Sequence, residues 1–170
     1  MTDSIVKAYT DFILPASVVS RLDIARLVTE AERVDDQLTQ AAARANVGAA
    51  NDPQLTLSDR LTEFLQTNEL QLNDARQRAE IIKQLRLLKD KAPVVHMTFA
   101  VEADPESLGQ LALWLRQSIH PQTIISTGLQ PALVAGVYLR TPNHVHDLSL
   151  RAKLQGSRDL LVKELGGGRG

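Results

Sequence analysis

The sequence predicts an α+β protein: an N-terminal helical hairpin or small bundle, followed by a small three-stranded sheet with two helices in the order strand, helix, strand, strand, helix. Three observations point there. Residues 1–92 are rich in Ala, Leu, Gln, Arg and Glu, the side chains that lose least freedom in a helix. Their apolar positions recur every three or four residues. After Pro93 the apolar period drops to two, the spacing of a strand with one buried face.

Taken in order, Ile24, Leu27, Ala31, Val34, Leu38, Ala41 and Ala45 form one stripe of a long helix that starts near Ser20 or Asp23. Gly48 and Asn51-Asp52-Pro53 break it. A second helix, or two joined end to end, begins at about Ser58. Leu61, Leu65, Leu72, Ala75, Ala79 and Ile82 give it a matching stripe, which Asn68 interrupts. An Ala-rich stripe of this kind lets helices approach closely. Pro93 disfavours further helix before it, so the boundary between domains is expected there, with a helical domain at 1–92, an α/β domain at 93–165 and a flexible Gly-rich tail at 166–170.

In the second domain Val95, Met97, Phe99 and Val101 alternate with Val94, His96, Thr98 and Ala100, which predicts the first strand. Asp104-Pro105-Glu106 is an N-cap, a proline at the first helical position and an acid in the first turn. Leu108, Leu111, Ala112 and Leu115 then supply a helical stripe, and Trp114 beside them reads as core. The stretches QTIIST and ALVAGVYLRT predict two more strands, separated by the turn GLQP. The closing helix is HDLSLRAKLQGSRDLLVKEL, with Leu150, Leu154, Leu161 and Leu165 on one side.

Composition narrows the function. With 44% hydrophobic and 23% charged residues, a chain of 170 residues can bury one respectable core or two small ones, as an ordinary soluble protein does. A net charge of −1 supplies none of the basic excess that nucleic acid or an anionic membrane calls for. The absence of cysteine removes disulfides, thiolate nucleophiles and cysteine-bearing zinc sites. The N-terminus lacks a signal-peptide pattern, and no stretch approaches the ~20 apolar residues of a membrane span, so a cytoplasmic location without direct membrane insertion is expected.

Within PALVAGVYLRTPNHVHDLSLRAKL, residues 131–154, the chemistry is mostly that of fastening a helix to a sheet. Gly136 leaves a gap on a strand face where a helix can approach the backbone. Asp147 is placed to cap the last helix, Ser149 lies in its first turn, and Arg151 can pair with Asp147 at i, i+4. His144 and His146 project to one side of an extended chain and, with Asp147, make a metal site conceivable, but no third ligand lies nearby; His96 and His120 belong elsewhere in the sequence. No metal and no cofactor is expected. The GGGRG tail is neither preceded by a strand nor followed by a helix and is no phosphate loop. The segment 75–91 carries Arg76, Arg78, Lys83, Arg86, Lys89 and Lys91, yet Asp74, Glu80 and Asp90 dilute it and no aromatics interleave for base stacking. It reads as a solvated helix face. No nucleophile-base pair, carboxylate pair or cofactor fingerprint stands at a meaningful spacing, so catalysis is not expected.

The same stretch resembles the C-terminal signature of the delta subunit of F-type ATP synthases, the oligomycin-sensitivity-conferring protein family. That signature is a D-P-x-L-I-G-G run, a V-x-V-R strand, a short turn and D-x-S-x-R-x-x-L opening the last helix. Here Gln130, Pro131, Leu133, Val134, Ala135 and Gly136 stand in the first part, Val137, Leu139 and Arg140 in the strand, and Asp147, Ser149, Arg151 and Leu154 in the last. The resemblance covers roughly residues 93–165. The family's double glycine is Ala135-Gly136, its usual acid before the proline is Gln130, and the N-terminal half lacks the R-x-Y-A-x-A-L opening and is shorter than the family's six-helix domain.

The resemblance implies a non-catalytic stator subunit of a proton-driven rotary ATP synthase, attached peripherally to the inner face of the cell membrane through the complex. Its sheet half would receive the C-terminal helices of the b subunits, and its helical half the N-terminal segments of the alpha subunits of the catalytic head. Leu148 and Leu160, off the main stripe of the closing helix, are the candidate partner interface, with no nucleic acid expected as partner. Two alternatives are a V/A-type peripheral-stalk subunit, whose closing pattern N-T-L is missing here, and a small RNA-binding or regulatory α+β module.

Overall fold

The computed structural model describes residues 7–46, 48, 55–131, 137–140 and 145–147. It is mixed helix and strand, as the sequence predicts. Among the described residues a short 3-10 turn, Tyr9–Asp11, leads to four helices, α1 (Arg21–Asn46), α2 (Asp59–Asn68), α3 (Ala75–Lys91) and α4 (Pro105–Ser118), and four strands, β1 (Val94–Phe99), β2 (Ile124–Leu129), β3 (Val137–Arg140) and β4 (Val145–Asp147). The chain condenses into two units. One comprises Met1–Pro93 and Gly109–Ile124, the other Val94–Leu108 and Ile125–Gly170.

Local signals set the helix ends. Ser20 and Asp23 form a reciprocal cap on α1: the Asp23 carboxylate accepts from the Ser20 N–H at 2.9 Å, and the Ser20 hydroxyl accepts from the Asp23 N–H at 3.3 Å. Ser58 caps α2 by accepting from the Leu61 N–H, and Asp74 caps α3 by accepting from the Gln77 N–H. Asp104 caps α4 as expected, accepting from the Ser107 N–H at 2.9 Å; hydrogen bonds with Ser107 hold its carboxyl below the usual range.

The long second helix resolves into two. Glu69 ends α2 in the left-handed region, φ 56°, while the Leu70 N–H reaches back to the Leu65 carbonyl at 2.9 Å. The interrupting residue of the stripe, Asn68, is 1% exposed and fully engaged: it accepts from the Ile13 N–H and donates to the Ile13 and Phe64 carbonyls. A buried amide of this kind ties a strand-like segment to a helix end without orphaning either backbone.

In the helical unit α1 packs most extensively against α3. Ile24, Leu27, Ala31 and Val34 are buried as the stripe predicts, and Leu61, Leu65 and Ile82 join them; Ala75 and Ala79 instead face solvent. The α3 core face is Ile81, Ile82, Leu85 and Leu88, one step round from the expected stripe, with Arg78 on it. Arg78 is thereby an exception to the solvated basic face: its Nε donates to the Asp35 carboxylate at 2.6 Å and its Nη1 to the Leu72 carbonyl at 2.9 Å. Phe12 meets Phe64 edge to face at a centroid distance of 5.3 Å.

Trp114 is not core. It is 57% exposed, because Ala112 and Leu115 define the buried face of α4 and position 114 lies about 100° from Leu115 and about 200° from Ala112 around the helix. What the buried face carries instead is Arg116. Its Nε donates to the Thr123 carbonyl at 3.1 Å, Nη1 to Leu14 and Pro15 at 2.9 and 3.0 Å, and Nη2 to Val18. Burial lowers its pKa to about 10, so it stays charged at neutral pH. Gly109 belongs to the same seam; a Cβ there would stand 3.1 Å from the Ala16 carbonyl oxygen.

Among the described residues the sheet has four strands, in the order β2-β1-β3-β4. β1 and β2 run parallel, bracketed by the Ile124 N–H on the Pro93 carbonyl and the Gln130 N–H on the Phe99 carbonyl. β3 is antiparallel to β1, with Met97 opposite Leu139, and β4 is antiparallel to β3, with Leu139 opposite His146. The expected count of three misses β4 because three residues are too short for an alternation to register, and His146 and Asp147, expected to open the closing helix with Asp147 as its cap, stand in this strand instead. β2 also runs through Gly128 and Leu129, which the sequence assigned to the turn, and Val101 falls beyond β1 and is 73% exposed. Residues 148–165 of the expected closing helix and residues 132–136 and 141 of the third expected strand lie outside the described residues.

Replacing Arg116 by Met should destabilise the protein by about 3 kcal/mol, since four buried carbonyls lose their donor at once, with Arg116→Lys recovering less than half. Urea unfolding measures it; a loss below about 1 kcal/mol would show that the cage is dispensable. Glu69→Gly should stabilise by about 0.5 kcal/mol by relieving a left-handed non-glycine residue, and a fall in melting temperature would contradict that reading of the α2 terminus.

Candidate functional site

Among the described residues two hollows bear on function, one in each unit. In the helical unit a groove of about 620 Å³ runs along the first half of α1, floored by Leu22, Ala25 and Thr29 and walled by Thr56, Leu57 and Ser58. It exists because α1 carries two stripes. Ile24, Leu27, Val28 and Ala31 turn inward, while the positions between them, Leu22, Ala25, Arg26, Thr29 and Arg33, form a second stripe at the same period. Leu22 is 59% exposed, although α1 could have placed a polar residue there at no cost to its core.

The wall is fastened to the helix by polar bonds. The two oxygens of Glu30 accept from the Ser58 N–H and the Ser58 hydroxyl, each at 2.6 Å, and Arg33 donates to the Thr56 carbonyl at 3.1 Å. Nearer the start of α1, Asp23 faces Arg60 at 3.3 Å and Arg26 at 3.6 Å. The groove is therefore a preformed, mainly apolar concavity with guanidinium groups at its edge, which suits binding, and its carboxylate, Glu30, and the Ser58 hydroxyl are bonded to each other.

In the sheet unit a smaller hollow of about 280 Å³ lies at the C-terminal ends of the parallel strands, lined by Phe99, Val101, Glu102, Leu108, Gly128 and Leu129. Gly128 sits close over Thr98, whose hydroxyl would be 3.3 Å from an added Cβ. At the start of α4 the Ser107 N–H is already taken by the Asp104 carboxylate.

Of the residues singled out in the sequence, Arg140 ends β3 opposite His96 and Val145 and is exposed, and Asp147 ends β4 opposite Tyr138. His146 is opposite Leu139 in β4, and His96 is exposed on β1. His120 accepts from the Gln122 N–H at 3.1 Å. Gly136, His144, Leu148, Ser149, Arg151, Leu154 and Leu160 lie outside the described residues. Among the described residues no three His, Asp or Glu side chains are placed to share a metal ion, and no described helix is long and apolar enough to cross a membrane. No protein-family model and no curated protein matches the chain.

The groove residues escaped the sequence reading because a stripe that alternates small, apolar and charged side chains looks like an ordinary helix flank. The available signal was Leu22 with Ala25 and Thr29, apolar or small at i, i+3 and i+7 beside an already complete core stripe.

Because the groove floor is not part of the core, Leu22→Asp should change stability by less than about 0.5 kcal/mol, whereas Ile24→Asp two residues on should unfold the unit. Thermal melts of the two variants check this, and comparable losses would place Leu22 in the core.

Proposed function

We propose that the protein is a non-catalytic connector that holds helical partners, acting as a peripheral-stalk subunit of a rotary F-type ATP synthase in proton-driven ATP synthesis. The observation that carries the reading is the run from Val94 to Arg140: strand, helix, strand and strand follow each other in the order the delta-like resemblance leads one to expect, with Arg140 closing β3, whereas Asp147 ends a further strand, β4, where the resemblance has the start of the last helix. The preformed groove on α1 supports the same reading from the other unit, being built for a macromolecular ligand rather than for chemistry.

In this role the sheet half receives the C-terminal helices of the b subunits, with Leu148 and Leu160 in the contact, and the helical half holds the N-terminal segments of the alpha subunits. The protein then works at the inner face of the membrane without entering it. Rotation of a central shaft drags the catalytic head unless a stalk holds it still, and a connector under that load needs stable, largely apolar contacts with buried anchors.

The full chain, immobilised and exposed to purified synthase subunits, should retain b-subunit or alpha-subunit polypeptides and show no nucleotide turnover. Leu148→Gln with Leu160→Gln should weaken b-subunit retention by about tenfold while the fold persists, as expected when apolar anchors are truncated. Retention of RNA with no synthase subunit bound would transfer the protein to the class of small nucleic-acid-binding modules.

A further inference from the structure

We infer that the groove along α1 takes a partner's amphipathic helix bearing two acidic residues seven positions apart, one facing Arg26 and the other Arg33. This rests on the connector reading only in taking the groove as a docking surface; the occupant's chemistry follows from the groove itself.

The shape favours a helix. From Leu22 to Arg33 the groove follows α1 for about 16 Å, three helical turns, and Ala25 and Thr29 in its floor are small enough to let another helix backbone come close. The opposite wall is already held by the Glu30 and Arg33 bonds to residues 56–58, so little ordering is left for binding to cost.

The charge fixes what the helix must carry. Glu30 directs both carboxylate oxygens to Ser58. Arg33 spends one donor on a neutral carbonyl, and among the described residues no carboxylate lies within 4.0 Å of it. Arg26 has only Asp23 at 3.6 Å, and that carboxylate is held more closely by Arg60 and by Ser20. Among the described residues the groove therefore carries two guanidinium groups against the single carboxylate of Glu30, a net positive edge on an apolar surface, which favours an acidic partner over a basic one.

The spacing selects the secondary structure. Positions 26 and 33 are two turns apart on α1, about 10.5 Å along its axis. A second helix packed along the first repeats that interval at i, i+7 on one face. An extended strand repeats on one face at about 6.6 Å and then about 13 Å, and meets both arginines at neither.

The test is titration of the full chain with labelled synthetic helical peptides of roughly five turns. Each has a Leu/Ala stripe, with Glu or Gln at two positions seven apart. The Glu peptide should bind about fivefold more tightly than the Gln peptide, and that advantage should vanish in about 0.5 M salt and in Arg26→Gln/Arg33→Gln. An Arg26→Glu/Arg33→Glu chain should prefer the peptide with Lys at the same positions, and Leu22→Asp should weaken every peptide while circular dichroism stays unchanged. Equal affinity for Glu and Gln peptides overturns the acidic rule and leaves the groove as a docking surface. Failure of wild type to bind any of them overturns the helix as occupant, and the connector reading then stands or falls on subunit retention alone.

Discussion

The buried guanidinium of Arg116 organises the entry into the helical unit. Arg116 spreads its fork over the carbonyls of Leu14, Pro15, Val18 and Thr123, so one side chain fixes both the segment that enters α1 and the turn that leaves α4. The arrangement needs arginine: a planar group with five donors in fixed directions can satisfy several carbonyls at once, and its charge survives burial where a lysine would more readily shed its proton. Asn68 performs the neutral version of the same task on Ile13. Gln122 adds a third clasp by donating to the Tyr9 and Phe12 carbonyls. An irregular segment between residues 9 and 18 can be buried only because polar side chains far away in sequence supply the partners that a helix or sheet would otherwise provide.

With that segment fixed, α1 has one face committed to the core and another left for use. The commitment explains why the groove can be apolar without endangering the fold: its residues were never needed inside. It also explains the cationic edge. Glu30, the acid that lines the groove, is held by Ser58, and Asp23 nearby by its capping role and by Arg60. Local structural duties consume the carboxylates and leave the guanidinium groups facing outward.

The sheet unit shows a different balance. Strand order and register are settled by backbone pairing, with β1 in the middle between a parallel and an antiparallel neighbour. The signature residues that suggested a stator subunit are divided by this arrangement: Arg140 and Asp147 are placed on neighbouring strands, while the leucines offered as a partner surface belong to the segment beyond β4. The functional proposal for this unit therefore draws mainly on sequence order, and that for the helical unit on geometry.

The sequence by itself determined the α+β class, the α1 stripe from Ile24 to Val34, the start of the second helix near Ser58, the cap at Asp104 and the alternation of β1, because each is a short-range pattern imposed by helix or strand period and by free backbone groups at helix ends. Only the tertiary structure decided the rest. Trp114 turned outward while Arg116, two residues on, turned in. Periodicity alone cannot say which side of a helix flank meets carbonyls from residues 14–18, about a hundred positions earlier. Asn68 looked like a flaw in a stripe because its partner, Ile13, is likewise remote. The second face of α1 became a groove only when residues 56–58 folded back alongside it. Hydrophobic pattern records what must be buried, but what a buried polar group bonds to, and which surface is left concave, depends on chain segments that sequence proximity does not connect.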